Sequence, residues 1–338
     1  MKNNPFVIVY MLLAMVLMSC ATKKSFNIVL LPDTQTYSRA YPEIFMSQTK
    51  WIAENSDSIA FVLHQGDITD WNTDNEWQVA SKAMQMLDGK VPYTVVPGNH
   101  DTGAPPYAFH TKTRATDLFN VYFPYEKYSE YKSFGGAFEE GKMDNTWHTF
   151  KAGGYNWLIL SLEFGPRNSV LQWAGDIIKD HPKHKVIINT HAYMYSDDTR
   201  MSADRNHNWR PQSYGIGNDT GDNAVNDGEQ MWKKLVSQYA NVLLVFSGHV
   251  LHDGTGTLES TGLHGNTVYQ MLANYQGGVK DAVKGGNGFL RKLTIDPVKQ
   301  KIFVKTYSPY INEYKTGPDQ QFVIENVQFN SIPDKGKR

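Results

Sequence analysis

Apolar and polar positions alternate differently along three stretches of the chain. The first opens with Asn27-Ile28-Val29-Leu30-Leu31, a short, almost wholly apolar run with the length of a buried strand. Pro42 to Glu54 follows, with Ile44, Phe45, Trp51 and Ile52 recurring near the helical period, which predicts an amphipathic helix. Ile59 to Leu63 reads as a second strand. Asn75 to Leu87 reads as a second helix, with Trp77, Ala80, Met84 and Leu87 on its inner side, and Tyr93 to Val96 as a third strand. Strand, helix, strand, helix, strand with short connections predicts parallel βαβ units.

The middle stretch is less regular. Thr102 to Lys132 is aromatic and shows no period. Trp147 to Phe150 and Trp157 to Leu162 predict neighbouring antiparallel strands joined at Gly153-Gly154. Val170 to Ile178 predicts a helix, Lys185 to Asn189 a strand, Glu229 to Tyr239 a helix and Val242 to Phe246 a strand. Between them Tyr193 to Asp227 is long, polar and Gly-rich, the kind of loop that usually carries function. From Thr255 short strands dominate: Thr267 to Leu272, Leu290 to Ile295, Ile302 to Tyr307 and Phe322 to Val327. There is no internal repeat and no linker after Ser25, so residues 26–330 are expected to form a single domain.

Composition narrows the possible partners. The chain has 33 basic and 34 acidic side chains, a net charge of -1, which argues against a nucleic-acid polymer as partner. A hydrophobic content of 41% is sufficient for a packed core. Residues 1–20 stand apart. Lys2 precedes a nearly unbroken apolar run from Phe6 to Met18, shorter than the ~20 residues of a membrane-spanning helix. The run ends in Leu17-Met18-Ser19-Cys20, which resembles the lipobox of bacterial lipoproteins. That resemblance implies a signal peptide cleaved before Cys20, lipid on Cys20, and a linker over 21–25. The expected product is an exported protein anchored to a membrane on its periplasmic or cell-surface face. Cys20 is the only cysteine, so no intramolecular disulfide and no thiolate metal site is expected.

Candidate chemistry follows the strands. Their ends run into Asp33-Thr34-Gln35, Gly66-Asp67-Ile68-Thr69-Asp70, Gly98-Asn99-His100-Asp101, Thr190-His191 and Gly248-His249-Val250-Leu251-His252. In open α/β sheets, sites form beyond the carboxyl ends of strands, so these segments should converge. Asp33 and Gln35, two apart, would share a face of extended backbone. Carboxylate, amide and imidazole donors without thiolates suit Mn, Zn or Fe.

Gly66-Asp67-x-x-Asp70, Gly98-Asn99-His100-Asp101, His191 and Gly248-His249, in this order, resemble the motifs of calcineurin-like metallophosphoesterases. The resemblance implies an α/β fold, a four-layer α/β/β/α sandwich of two mixed sheets with outer helices. It also implies two divalent cations and hydrolysis of a small phosphate ester, monoester or diester, by a metal-bound hydroxide. Asp33 would bind the first metal and Asp67 both; Asn99, His191 and His249 would bind the second. His100 would protonate the leaving oxygen, and Asp70 would orient it by accepting its other ring N–H.

Two positions depart from the family pattern. Gln35 stands where a histidine is usual, and Leu251 where a second histidine is usual, with His252 one residue further on; His252 becomes a ligand only if the chain bends. Both departures weaken the first metal position. Asn72, which follows the second motif, and Arg200, Trp209 and Arg210 of the long loop are candidate substrate contacts. A nucleotide or cyclic-nucleotide phosphodiesterase, and a non-catalytic binding lipoprotein with a weakened first metal site, are the alternative functions.

Overall fold

The computed structural model describes residues 24–103 and 111–329. The apolar leader, Cys20 and the first residues of the linker lie outside the described residues. Strand β1 (Phe26–Leu31) leads into α1 (Gln35–Ala40) and α2 (Pro42–Glu54), then β2 (Ile59–His64), α3 (Asp74–Met84) and β3 (Tyr93–Thr94). β1 pairs parallel with β2, and β2 with β3. Side chains of β1 alternate between two cores, as the two-residue period of a strand requires. Ile28 and Leu30 meet Phe61, Trp157, Ile187 and Leu244 between the sheets. Val29 and Leu31 face the other way, onto Phe45 and Ile52 of α2 and Trp77 and Met84 of α3. A strand covered on both faces has no polar alternation to show, hence the unbroken apolar run.

The first sheet is extended by β11 (Leu290–Asp296), β12 (Lys301–Ser308), β13 (Glu313–Lys315) and β14 (Gln321–Ile324). Its order is β13-β12-β11-β1-β2-β3, with β14 also pairing β12. The second sheet runs β4-β5-β6-β7-β8-β10-β9. Its strands are β4 (Phe134–Ala137), β5 (Thr146–Ala152), β6 (Tyr155–Leu162), β7 (Lys185–Thr190), β8 (Val242–Ser247), β9 (Thr255–Thr261) and β10 (Thr267–Ala273). β6, β7, β8 and β10 are parallel, while β5 runs antiparallel to β6 with Phe150 opposite Trp157. Helix α6 (Asn168–Asp180) buries Val170, Leu171, Ala174 and Ile178 on the outer face of this sheet, beside Met231 of α7 (Gly228–Lys234). The result is helix, sheet, sheet, helix: a four-layer α/β/β/α sandwich.

Several local expectations change. Gln35 is not on extended backbone but begins α1, because Tyr37 N and Ser38 N close a turn on the Thr34 carbonyl at 2.8 and 3.0 Å. The irregular aromatic segment contains two short helices, α4 (Asp117–Tyr122) and α5 (Tyr125–Ser129). Each is too short to display a period, and each is held by tertiary contact: Phe119 of α4 packs edge-on against Trp77, and Tyr125 and Tyr128 of α5 pack edge-on against Phe134 and Tyr93. The helix expected over Glu229 to Tyr239 stops at Lys234 and continues as a single 3-10 turn over Val236–Gln238. The long loop ends in a reciprocal cap, in which Asp227 Oδ1 accepts from Gln230 N and Gln230 Oε1 accepts from Asp227 N, both at 3.0 Å.

Candidate metal centre

Parallel β1, β2, β7 and β8 all end at one rim, and the residues that follow them meet there. Asp33 is 2% exposed, Asp67 1%, Asn99 3%, His191 0% and His249 6%, so the centre is withdrawn from bulk water. His191 Nε2 lies 3.0 Å from His249 Nδ1, 3.1 Å from Asn99 Oδ1 and 3.3 Å from Asp67 Oδ1. Donor atoms of Asp67, His191 and His249 all lie within 4.8 Å of one another. Each imidazole is fixed from behind. His191 Nδ1 donates to the Gln65 carbonyl at 2.8 Å, and His249 Nε2 to the Trp209 carbonyl at 2.8 Å. These partners set the tautomers that turn the other nitrogen's lone pair inward. Two inward lone pairs 3.0 Å apart repel unless a cation or a proton lies between them. The donor set therefore fits a divalent transition metal.

The electrostatics agree. Burial alone would lower the pKa of His191, but the adjoining Asp67 and Asp33 carboxylates lift it to about 9. Burial and the charge of His191 push His249 down to about 3. Burial opposes ionisation of Asp67, yet His191 and His100 hold its carboxyl well below the usual range. Burial raises Asp33 to about 7, with the Asp67 charge adding to the rise.

Close approach of the loops depends on missing side chains. A Cβ on Gly98 would sit 2.1 Å from Asp67 Oδ1, and one on Gly248 2.3 Å from Asp33 Oδ1. Asp67 and His249 themselves adopt left-handed backbone, at φ 47° and 74°. Asp101 binds two of the loops together. Its carboxylate accepts from Ile68 N, Thr69 N, Thr69 Oγ1 and Gly98 N at 2.9–3.0 Å.

Around Asp33 the picture is different. Its Oδ2 accepts from Asn274 Nδ2 and Gln276 Nε2, both at 3.0 Å, and the His249 N–H lies 3.2 Å from each oxygen. Neither amide was among the sequence candidates. Their signal was present: Asn274-Tyr275-Gln276 follows the apolar β10 directly, another strand exit with polar residues two apart. Gln35 Nε2 donates to Asp70 Oδ1 at 3.1 Å, which leaves Gln35 Oε1 buried without a partner. That orphaned amide oxygen, beside the Asp70 carboxylate, is a buried oxygen donor with no partner among the described residues.

The expected link between His100 and Asp70 takes another form. His100 Nδ1 meets the main-chain carbonyl of Asp70 at 2.8 Å, while the carboxylate stands 3.5 Å away. That carboxylate is occupied by Gln35 and by the Arg39 guanidinium. Burial would lower the His100 pKa, but Asp67 and the Asp70 carbonyl reverse the effect and raise it.

Other candidates lie outside the centre. His252, at φ 59°, is exposed, and its Nε2 pairs with the Tyr195 hydroxyl at 3.1 Å, so the bend carries it away from the metal position. Asn72 is a structural residue: it donates to the Gly103 carbonyl at 2.8 Å and accepts from Trp77 Nε1 at 2.7 Å. Arg200 is held by Glu229, Ser260 and Gln270 at 2.7–3.2 Å and lies over the Trp232 ring. Arg210 Nε donates to the His207 carbonyl at 3.1 Å. Trp209 contributes its carbonyl to His249, and its ring packs on His252 at 5.1 Å.

Two mixed sheets with outer helices thus gather carboxylate, amide and imidazole donors at their carboxyl rim. The chain belongs to the calcineurin-like phosphoesterase family, whose sequence profile matches residues 26–253. It is similar to the uncharacterized protein YvnB of Bacillus subtilis strain 168, at 29% identity over 299 residues, 86% of this chain and 20% of that protein. The chain thus spans about a fifth of the length of this curated relative. Its fold is similar to that of purple acid phosphatase PPD1 from yellow lupin seeds. The TM-score is 0.54 at 14% identity, covering 89% of this chain and 54% of the plant chain.

Proposed function

We propose that this hydrolase cleaves small phosphate monoesters or diesters with two divalent cations of unequal affinity, Mn, Zn or Fe. The observation that carries the reading is the convergence of His191 Nε2, His249 Nδ1, Asn99 Oδ1 and Asp67 on one point. These residues form the tight position. Asp33, Gln35 and Asp67 form the weaker one, with an amide oxygen where imidazole would bind more strongly. Cations bound there supply Lewis acidity and neutralise charge developing on phosphorus. His100 carries the proton chemistry. Its Nδ1 is engaged by the Asp70 carbonyl, and that carbonyl together with the Asp67 charge raises its pKa, which favours the protonated ring that a departing alkoxide needs. Asn274 and Gln276 fix the Asp33 carboxylate.

The test is metal content together with turnover on mono- and diesters, with Mn, Zn, Fe and Mg supplied separately. Two cations that dissociate in separate steps, with turnover, support the reading. No turnover on any ester with any of these metals overturns it.

Export and anchoring through Cys20 belong to the same proposal, supported by the apolar leader and Leu17-Met18-Ser19-Cys20. β1 begins at the end of the sandwich opposite the metal rim, so an anchor there would turn the site away from the bilayer. Intact mass of the membrane-bound chain is the check. A mature chain without lipid on Cys20 would sink this part.

A further inference from the structure

We propose that the chain carries a second binding site, for a small amphipathic organic anion, in a cleft of about 620 Å³ at the opposite end of the sheets from the metal centre. The volume falls within the ~300–1,000 Å³ typical of small-molecule pockets. None of the metal-centre residues lines it. His184 on its wall immediately precedes β7, and His191 immediately follows it. Seven residues at ~3.3 Å each place the two sites ~23 Å apart.

The lining has a consistent chemistry. Phe150 and Tyr131 supply aromatic surface, and Phe150 is held rigid by stacking on Trp157 at 5.9 Å and 12°. Lys90, Lys132 and Lys151 surround this surface, and no carboxylate is among the lining residues. In a chain with net charge -1, a cleft with three lysines and no acid is a local departure. The nearby Asp88 is already engaged, by the Tyr131 and Tyr93 hydroxyls and by Lys127 at 2.7–2.8 Å. Ser133 gives an independent sign. It lines the cleft and is 8% exposed, and its hydroxyl has no hydrogen-bond partner among the described residues. The Nδ1 of His184 is likewise buried and unpartnered. An aromatic or short aliphatic body with one carboxylate, sulfonate or phosphate matches these walls.

The probe is 2-naphthoate, which contains no phosphate ester. Binding is measured by calorimetry on the full chain held in phosphatidylcholine nanodiscs, with empty discs as the blank. One equivalent should bind. The double variant Lys132→Glu/Lys151→Glu should bind about tenfold more weakly or worse. Both side chains are exposed, so the fold and ester turnover should be unchanged. The neutral analogue 2-naphthalenemethanol should bind less well, and His191→Asn should leave naphthoate binding intact. The assignment fails if 2-naphthoate does not bind at millimolar concentration, if the lysine variant binds it equally, or if His191→Asn abolishes binding. Discs containing phosphatidylglycerol distinguish the source of the natural ligand. Loss of naphthoate binding there assigns the cleft to a lipid headgroup, and unchanged binding assigns it to a soluble anion.

Discussion

Replacing His100 with Asn separates proton donation from metal binding. The ring is 16% exposed at the edge of the centre, and its Nδ1 is 2.8 Å from the Asp70 carbonyl. A backbone hydrogen bond ties His100 to a proposed metal ligand: His100 N donates to Asp67 Oδ1 at 2.9 Å. That hydrogen bond survives any side-chain change, so metal content should stay within error of wild type. Turnover should fall by about 10²–10⁴, the range for loss of a general acid, or ~2.7–5.4 kcal/mol of barrier. The loss should depend on the leaving group. A nitrophenolate departs without much help, so a nitrophenyl ester should lose the least and an alkyl ester the most. The assay is metal stoichiometry plus rates on these two esters. If the variant sheds a cation, or slows both esters equally, His100 is a ligand or a phosphate-positioning group and the proton-donor role is refuted.

Asp70→Asn should not reproduce the His100 defect, because the carbonyl that holds the ring remains. It should instead weaken the second cation through Gln35 and Arg39, and a leaving-group dependence like that of His100→Asn would contradict the observed geometry. Asp67→Asn should release metal more completely than Gln35→Ala, since Asp67 is the proposed ligand of both positions; titration with a chromogenic chelator reads the difference, and full metal retention by Asp67→Asn would reverse it. Stability should also fall in acid through His148, whose buried ring packs against Phe61 and Phe134 and is held by burial at a pKa of about 3 against 6.5 when exposed. The unfolded chain binds the extra proton, so this stability is complete above pH 6.5 and is lost as pH falls toward 3, at about 1.4 kcal/mol per unit. Urea midpoints of His148→Gln and wild type should therefore converge as the pH is lowered, and a difference independent of pH would exclude the effect.

Elements with a strong local signal were legible from the sequence. The Pro42 to Glu54 helix has the expected limits because Pro42 fixes its start and its apolar face is continuous. Buried β1, β2, β7 and β8 stood out as short apolar runs, and the polar residues after them located the rim. What stayed hidden depends on long-range contact. Nothing local distinguishes an extended Gln35 from a helical one, since the deciding contacts are the turn on Thr34 and the reach to Asp70. Helix α4 exists because Trp77 receives it, and α5 because Tyr93 and Phe134 receive Tyr128 and Tyr125. The carbonyl of Asp70, rather than its carboxylate, holds His100, and no pattern of side chains encodes a backbone contact. Arg200 and Asn72 carry the residue types of a phosphate site, yet their partners are structural.

The left-handed backbone at Asp67 and His249 sets stability and activity against each other. A non-glycine residue there is strained by ~1–2 kcal/mol, and at both positions the proposed metal ligation needs the side chain present. A library sorted for heat resistance alone would drift toward glycine or asparagine at both positions. A library sorted for turnover would hold them fixed. The two selections diverge at the residues that matter most, so thermostabilised variants of this chain should be screened for cation content before their stability is counted as a gain.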